Sequence, residues 1–177
     1  LNLSQGFPDY PIDEHLLALV EKYNQQGFHQ YAPMIGVAAL REQIKIMYQN
    51  VNGVTYHADE EITIHAGASE AIFNTLAALI SAGDEVIIFE PAYDLYAPIV
   101  TLFGGIVVPI RLEAPHFSID WNVVAQYISP KTKALIFNNP NNPTGRVYSK
   151  ADLEELASCV SNTNCIVIAD EVYAHIV

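Results

Sequence analysis

From residue 61 onward the chain alternates between short apolar runs and longer amphipathic ones, and this alternation restricts the fold more than any other feature. ITIHA, EVIIFE, GIVVPIRL, KALIFNN and CIVIAD are rich in Ile and Val and bounded by turn-forming residues, so each predicts a strand. Between them, SEAIFNTLAALISA, YDLYAPIVTLF with its interrupting Pro98, WNVVAQYI behind a capping Asp120, and residues 151–161 predict helices. Apolar strands separated by helices predict an α/β fold, a three-layer sandwich around a mostly parallel sheet covered on both faces. In such sheets ligands gather at the carboxyl ends of the strands. The residues just after each strand are therefore where chemistry is expected.

The first sixty residues follow another pattern. LNLSQGFPDYP is turn-rich, broken by Gly6, Pro8 and Pro11. Asp13 caps a predicted helix that carries Leu16, Leu17, Val20 and Tyr23 on one face and ends at Gly27. A second helix is predicted from about Val37 to Asn50, with Leu40, Ile44 and Met47 at helical spacing. Tyr23, Met47 and Phe73 are expected in the core. A length of 177 residues suits one domain or part of a larger protein. The chain has neither an initiator Met nor a targeting segment, and it stops just past a strand pattern, so we expect an interior piece, incomplete at both ends.

Composition narrows the partners. Eight Lys and Arg stand against 20 Asp and Glu, a net charge of −12. Nucleic acids and anionic membranes call for clustered cations, so neither is expected as a partner. No apolar run approaches the ~18 residues of a membrane span. Cys159 and Cys165 flank an apolar pattern and are expected as free thiols, in keeping with a cytoplasmic location. The six histidines show no ligand spacing, and no metal site is expected.

Four junctions stand out at the predicted strand ends. AGASEA at 66–71 sets small residues at a helix entry, where backbone amides and the Ser69 hydroxyl suit a phosphate; a close-packed turn with Ser69 as cap is the alternative. EPAYDLY at 90–96 places Tyr93 and Tyr96 where an aromatic either stacks on a flat ligand or fills the core. NNPNNPTG at 138–145 holds four Asn and two Pro in eight residues, explained by a ligand or by Asx turns. ADEVY at 169–173 ends a wholly apolar strand on Asp170, a desolvated carboxylate that needs a cation, a proton donor, a metal or a helix end.

Taken together, GFPD, QYAPxxGxxxLR, AGASEA, EPAYDLY, NNPNNPTG and DEVY, in this order along the whole chain, resemble the class I aminotransferases, pyridoxal phosphate enzymes of fold type I. LSQGFPD with QYAPMIG is most similar to the branch containing methionine and kynurenine aminotransferases. The resemblance implies an N-terminal segment over residues 1–28 leading into a pyridoxal-phosphate-binding large domain over 29–177. It implies that Asp170 pairs with the pyridine nitrogen and that Asn142 and Tyr173 donate to the ring's phenolic oxygen. Tyr93 and Val172 would lie on the two faces of the ring, and Ala68 and Ser69 would bind the phosphate. Gly6 and Asn142 would meet the substrate, and Tyr31 would reach the cofactor of the partner subunit in a homodimer. Amino acids and 2-oxo acids are the implied substrates.

One departure matters. The family's Schiff-base lysine and its two distal arginines follow the DEVY segment, and the chain stops before them. Lys22, Lys45, Lys131, Lys133 and Lys150 lack that context, and Arg41 is expected to serve as a structural ion-pair partner. These residues alone are accordingly expected to be inactive. A carbon–sulfur β-lyase using the same cofactor and a non-catalytic regulatory domain of the same shape are the alternative readings.

Overall fold

Helix ends follow their capping residues. The computed structural model describes residues 10–176. Helix α1 (Glu14–Gln25) starts at Asp13, whose carboxylate accepts the amide of His15 at 2.8 Å. Helix α2 (Ala38–Asn52) ends at Gly53, which adopts the left-handed φ of 70° that terminates helices. Both helices belong to the first of two compact units, which divide between Ile64 and His65.

Within that first unit the buried Arg41 acts as a clamp. Its guanidinium donates to the carbonyls of Gly36 and Ala58 and pairs with the Asp59 carboxylate at 2.5 Å. Gly36 is required there: at φ +94° a Cβ would collide with the side chain of Ile64. Two expectations fail, one in this unit and one across its boundary. Helix α1 buries no residue, so its stripe of Leu16, Leu17, Val20 and Tyr23 stays exposed, and Met47 is exposed as well. Residues 62–66 form no strand, because a strand needs a neighbour and none of the described strands pairs with them.

The second unit holds the sheet. Strands β1 (Glu85–Glu90), β2 (Ile106–Arg111), β3 (Thr132–Asn138) and β4 (Ile166–Asp170) run parallel in the order β2-β1-β3-β4. Alternate residues face opposite sides. Ile87, Phe89, Leu135 and Phe137 pack with Trp121 and Val124 of α5 (Trp121–Tyr127) and Leu156 of α6 (Lys150–Val160). Val86, Ile88, Ala134 and Ile136 pack with Ile72 and Leu76 of α3 (Ala68–Leu79) and Ile99 and Val100 of α4 (Tyr96–Leu102). The result is the expected three-layer α/β sandwich.

Two details differ from expectation. Phe73 is exposed, since the neighbouring Ile72 and Leu76 supply the buried face of α3. Helix α4 begins at Tyr96 rather than near Tyr93, which places Pro98 in the first turn, where its missing N–H has no intrahelical partner to lose. In register, Asn138 at the end of β3 sits opposite Asp170 at the end of β4.

Candidate active site

Parity along the strands decides which way the site faces. Ile136 and Ile168 point to the α3/α4 side, so Asn138 and Asp170, two residues further on, point there too. Above that aliphatic layer lies a cavity of about 200 Å³ lined by Ala68, Ser69, Ile72, Tyr93, Tyr96, Asn138, Asn142, Asp170, Val172 and Tyr173. Seven residues to which the family resemblance gives a role meet there: Ala68, Ser69, Tyr93, Asn142, Asp170, Val172 and Tyr173. Gly6 lies outside the described residues. Tyr31 belongs to the first unit and is fully exposed.

The carboxylate of Asp170 is buried and held at both oxygens. Oδ2 accepts the Tyr96 hydroxyl at 2.5 Å, and Oδ1 accepts the Val172 amide at 3.1 Å. A carboxylate offers about four lone-pair positions, so room remains for another donor. Among the described residues no lysine or arginine lines the cavity. Burial, and then the hydrogen bond to Asp170, push the Tyr96 phenol well above its ordinary value, so it remains a donor.

Three of the four asparagines in the 138–145 loop serve the loop itself. Asn138 donates its amide to the Asp170 carbonyl at 3.0 Å and accepts the Asn142 N–H at 2.7 Å. Asn139 accepts the Tyr148 N–H at 2.9 Å, and the Asn141 side chain accepts the hydroxyl of Thr144 at 2.7 Å. The Asn142 side chain has no such partner among the described residues and lines the cavity. Asx-type bonding thus occupies three asparagines of one loop and leaves the side chain of the fourth open.

Helix α3 presents its first turn to the cavity through Ala68 and Ser69. Gly67 precedes it at φ +97°, and among the described residues no side chain caps the turn, so its amides are open to an anion. The Ser69 hydroxyl lies 3.2 Å from the Tyr93 hydroxyl. This donor set suits pyridoxal phosphate. Open helix-entry amides match its phosphate, a half-buried tyrosine its flat ring, and a buried carboxylate its ring N–H.

A larger cleft of about 500 Å³ lies beyond β1 and β2, lined among others by Glu90, Asp94 and Arg111. Asp94 and Arg111 there are solvent-exposed and no buried polar group converges on it, so volume alone does not make it the site. Sequence reasoning passed over Ile72 and Asn138 as site residues, and it left Tyr96 between core and ligand. Ile72 is one helical turn beyond Ala68. The position of Asn138 follows only from strand register.

Comparison with known proteins fits this geometry. The family described as "Aminotransferase class I and II" matches residues 1–177. A methionine aminotransferase from Escherichia coli is 44% identical over 99% of this chain and 46% of its own length. A probable N-succinyldiaminopimelate aminotransferase from Mycobacterium tuberculosis is 37% identical over the whole chain and 45% of its own length. The crystal structure of the E. coli methionine aminotransferase superposes with a TM-score of 0.94 over 98% of this chain and 46% of that one. An aspartate aminotransferase from Thermus thermophilus, solved with maleate, gives 0.92 at 36% identity over 98% of this chain and 45% of that one. The chain thus spans about half the length of the relatives it matches. A match along every residue, with a backbone shared so closely, means that this chain belongs to the class I and II aminotransferases.

Proposed function

We propose that the full-length protein containing this chain is a pyridoxal-phosphate-dependent aminotransferase that moves an amino group between an amino acid and a 2-oxo acid. The observation that carries this reading is one cavity lined both by the buried carboxylate of Asp170 and by the uncapped first turn of α3. When bound, the cofactor supplies a protonated ring that draws electrons from the substrate's α-carbon. The chain's own residues hold it. Asp170 keeps the ring nitrogen protonated, Tyr93 and Val172 bracket the ring, and Ala68 and Ser69 bind the phosphate. Asn142 and Tyr173 donate to the ring oxygen, and Gly6 and Asn142 meet the substrate.

Methionine or an aromatic, kynurenine-like amino acid is the inferred donor, supported by the 44% identity to the E. coli methionine aminotransferase. The working form is a homodimer in which the exposed Tyr31 reaches the partner's cofactor. A cytoplasmic setting accords with the two free thiols, Cys159 and Cys165.

The test is a single-turnover half-reaction of the cofactor-loaded full-length protein with methionine, followed by cofactor absorption and 2-oxo acid release. Asp170→Asn should retain cofactor yet lose at least ~100-fold in rate, as expected when one charge-matched contact to the reacting group is removed. Near-wild-type turnover in that variant would remove Asp170 from its role, and a native protein that transfers no amino group would remove the activity.

A further inference from the structure

We propose that Tyr96 is a positioning residue whose hydroxyl, donating to Asp170, sets how firmly that carboxylate leaves the proton on the cofactor's ring nitrogen. This rests on the cofactor reading above and extends it to a residue that does not touch the reacting atoms.

The geometry carries the inference. Tyr96 opens α4, three residues beyond Tyr93, and is 2% exposed. Its ring meets the Tyr93 ring edge to face, with centroids 5.6 Å apart and planes at 77°. From that packing the hydroxyl donates to Oδ2 of Asp170 at 2.5 Å, a short charge-assisted bond. The other oxygen is fixed by the Val172 amide. The main chain of Asp170 is fixed as well, its carbonyl accepting from the Asn138 side chain and the Asn139 amide, each at 3.0 Å. With both oxygens and the carbonyl held, the carboxyl plane has one orientation.

A donor on one oxygen draws charge from the whole carboxylate. The acceptor strength left for a ring N–H is then a property of the Tyr96–Asp170 pair rather than of Asp170 alone. Burial and the neighbouring carboxylate both oppose ionisation of the phenol, so the donor persists over the working pH range. A tyrosine present only to fill the α3/α4 core would also be buried, but changing its hydroxyl would not reach the ring proton. That difference is measurable.

The experiment loads the full-length protein with pyridoxal phosphate labelled with ¹⁵N in the ring and records the ring-nitrogen resonance. In Tyr96→Phe the carboxylate loses a donor, accepts more strongly and draws the shared proton toward itself. The resonance should move downfield, toward that of an unprotonated pyridine, by more than its line width. Replacing Tyr96 with 3,5-difluorotyrosine keeps the shape but donates more strongly, and should move the resonance the opposite way. An unmoved resonance in a folded Tyr96→Phe protein overturns the proposal. If Tyr96→Phe fails to fold, the difluorotyrosine protein decides by the same signal, and again no displacement overturns it. A native protein that binds no cofactor would overturn the site reading and this proposal together, whereas native binding with unmoved resonances overturns this proposal alone.

Discussion

Tyr148 shows how one side chain couples local packing to pH. It is 4% exposed, and its hydroxyl donates to the Phe117 carbonyl at 3.0 Å. Burial pushes its phenol up to about 12, against a counter-pull from Arg146, whose guanidinium lies 5.7 Å from the ring centre. The unfolded value is about 10. Because the folded value is the higher, the contribution of Tyr148 to stability is complete below about pH 10 and is lost as pH rises toward about 12. Replacing it with Phe should flatten the fall in stability across that window, at a uniform cost of ~1 kcal/mol for the missing hydrogen bond. Denaturant unfolding followed by circular dichroism from pH 8 to 12 checks this; an equally steep fall in Tyr148→Phe would assign the alkaline loss to other groups.

At the scale of elements, α6 offers the clearest local test. Ser149 and Asp152 form a reciprocal capping box: the Ser149 hydroxyl accepts the Asp152 amide at 3.3 Å, and the Asp152 carboxylate accepts the Ser149 amide at 2.8 Å. Ser149→Ala should destabilise the protein by ~1 kcal/mol, read as a lower urea midpoint at unchanged slope. Asp13, Asp120 and Gly27 were legible as helix ends in the sequence, because capping is decided within a turn, whereas the Ser149 box was not read there. Strands β1 and β3 were legible because burial on both faces demands continuous apolar runs, and β2 and β4, at the outer positions of the described order, were legible from the same Ile- and Val-rich composition although they are more exposed. Residues 62–66 misled because they have strand composition but no described neighbour. The α1 stripe and Met47 misled for a related reason, since amphipathicity announces a face to be covered without saying by what. In the site, strand-end residues could be anticipated, whereas the choice among four consecutive-loop asparagines could not, since it depends on Asn138 falling opposite Asp170.

For the molecule as a whole, the first unit leaves large apolar side chains in solvent, among them Leu16, Leu17, Val20 and Phe28, beside the fully exposed Tyr31. This accords with the proposed homodimer. Sedimentation of the active full-length protein should give two copies. Tyr31→Phe subunits mixed with subunits lacking the cofactor-linked lysine should regain activity, because one of the two composite sites then carries neither change. An active monomer, or no regain on mixing, would overturn that arrangement.

The register of β3 against β4 bears on how such a site can fail. Asn138 and Asp170 share a face only because their strands pair as they do, and a slip of one residue would turn Asp170 toward the aromatic layer of Phe89, Trp121 and Phe137. No intermediate pairing half-presents the carboxylate. Ligand competence is therefore quantised by the strand ladder: each molecule either has the cavity or lacks it. Substitutions that weaken the sheet should lower the number of competent molecules while leaving the affinity of each one unchanged.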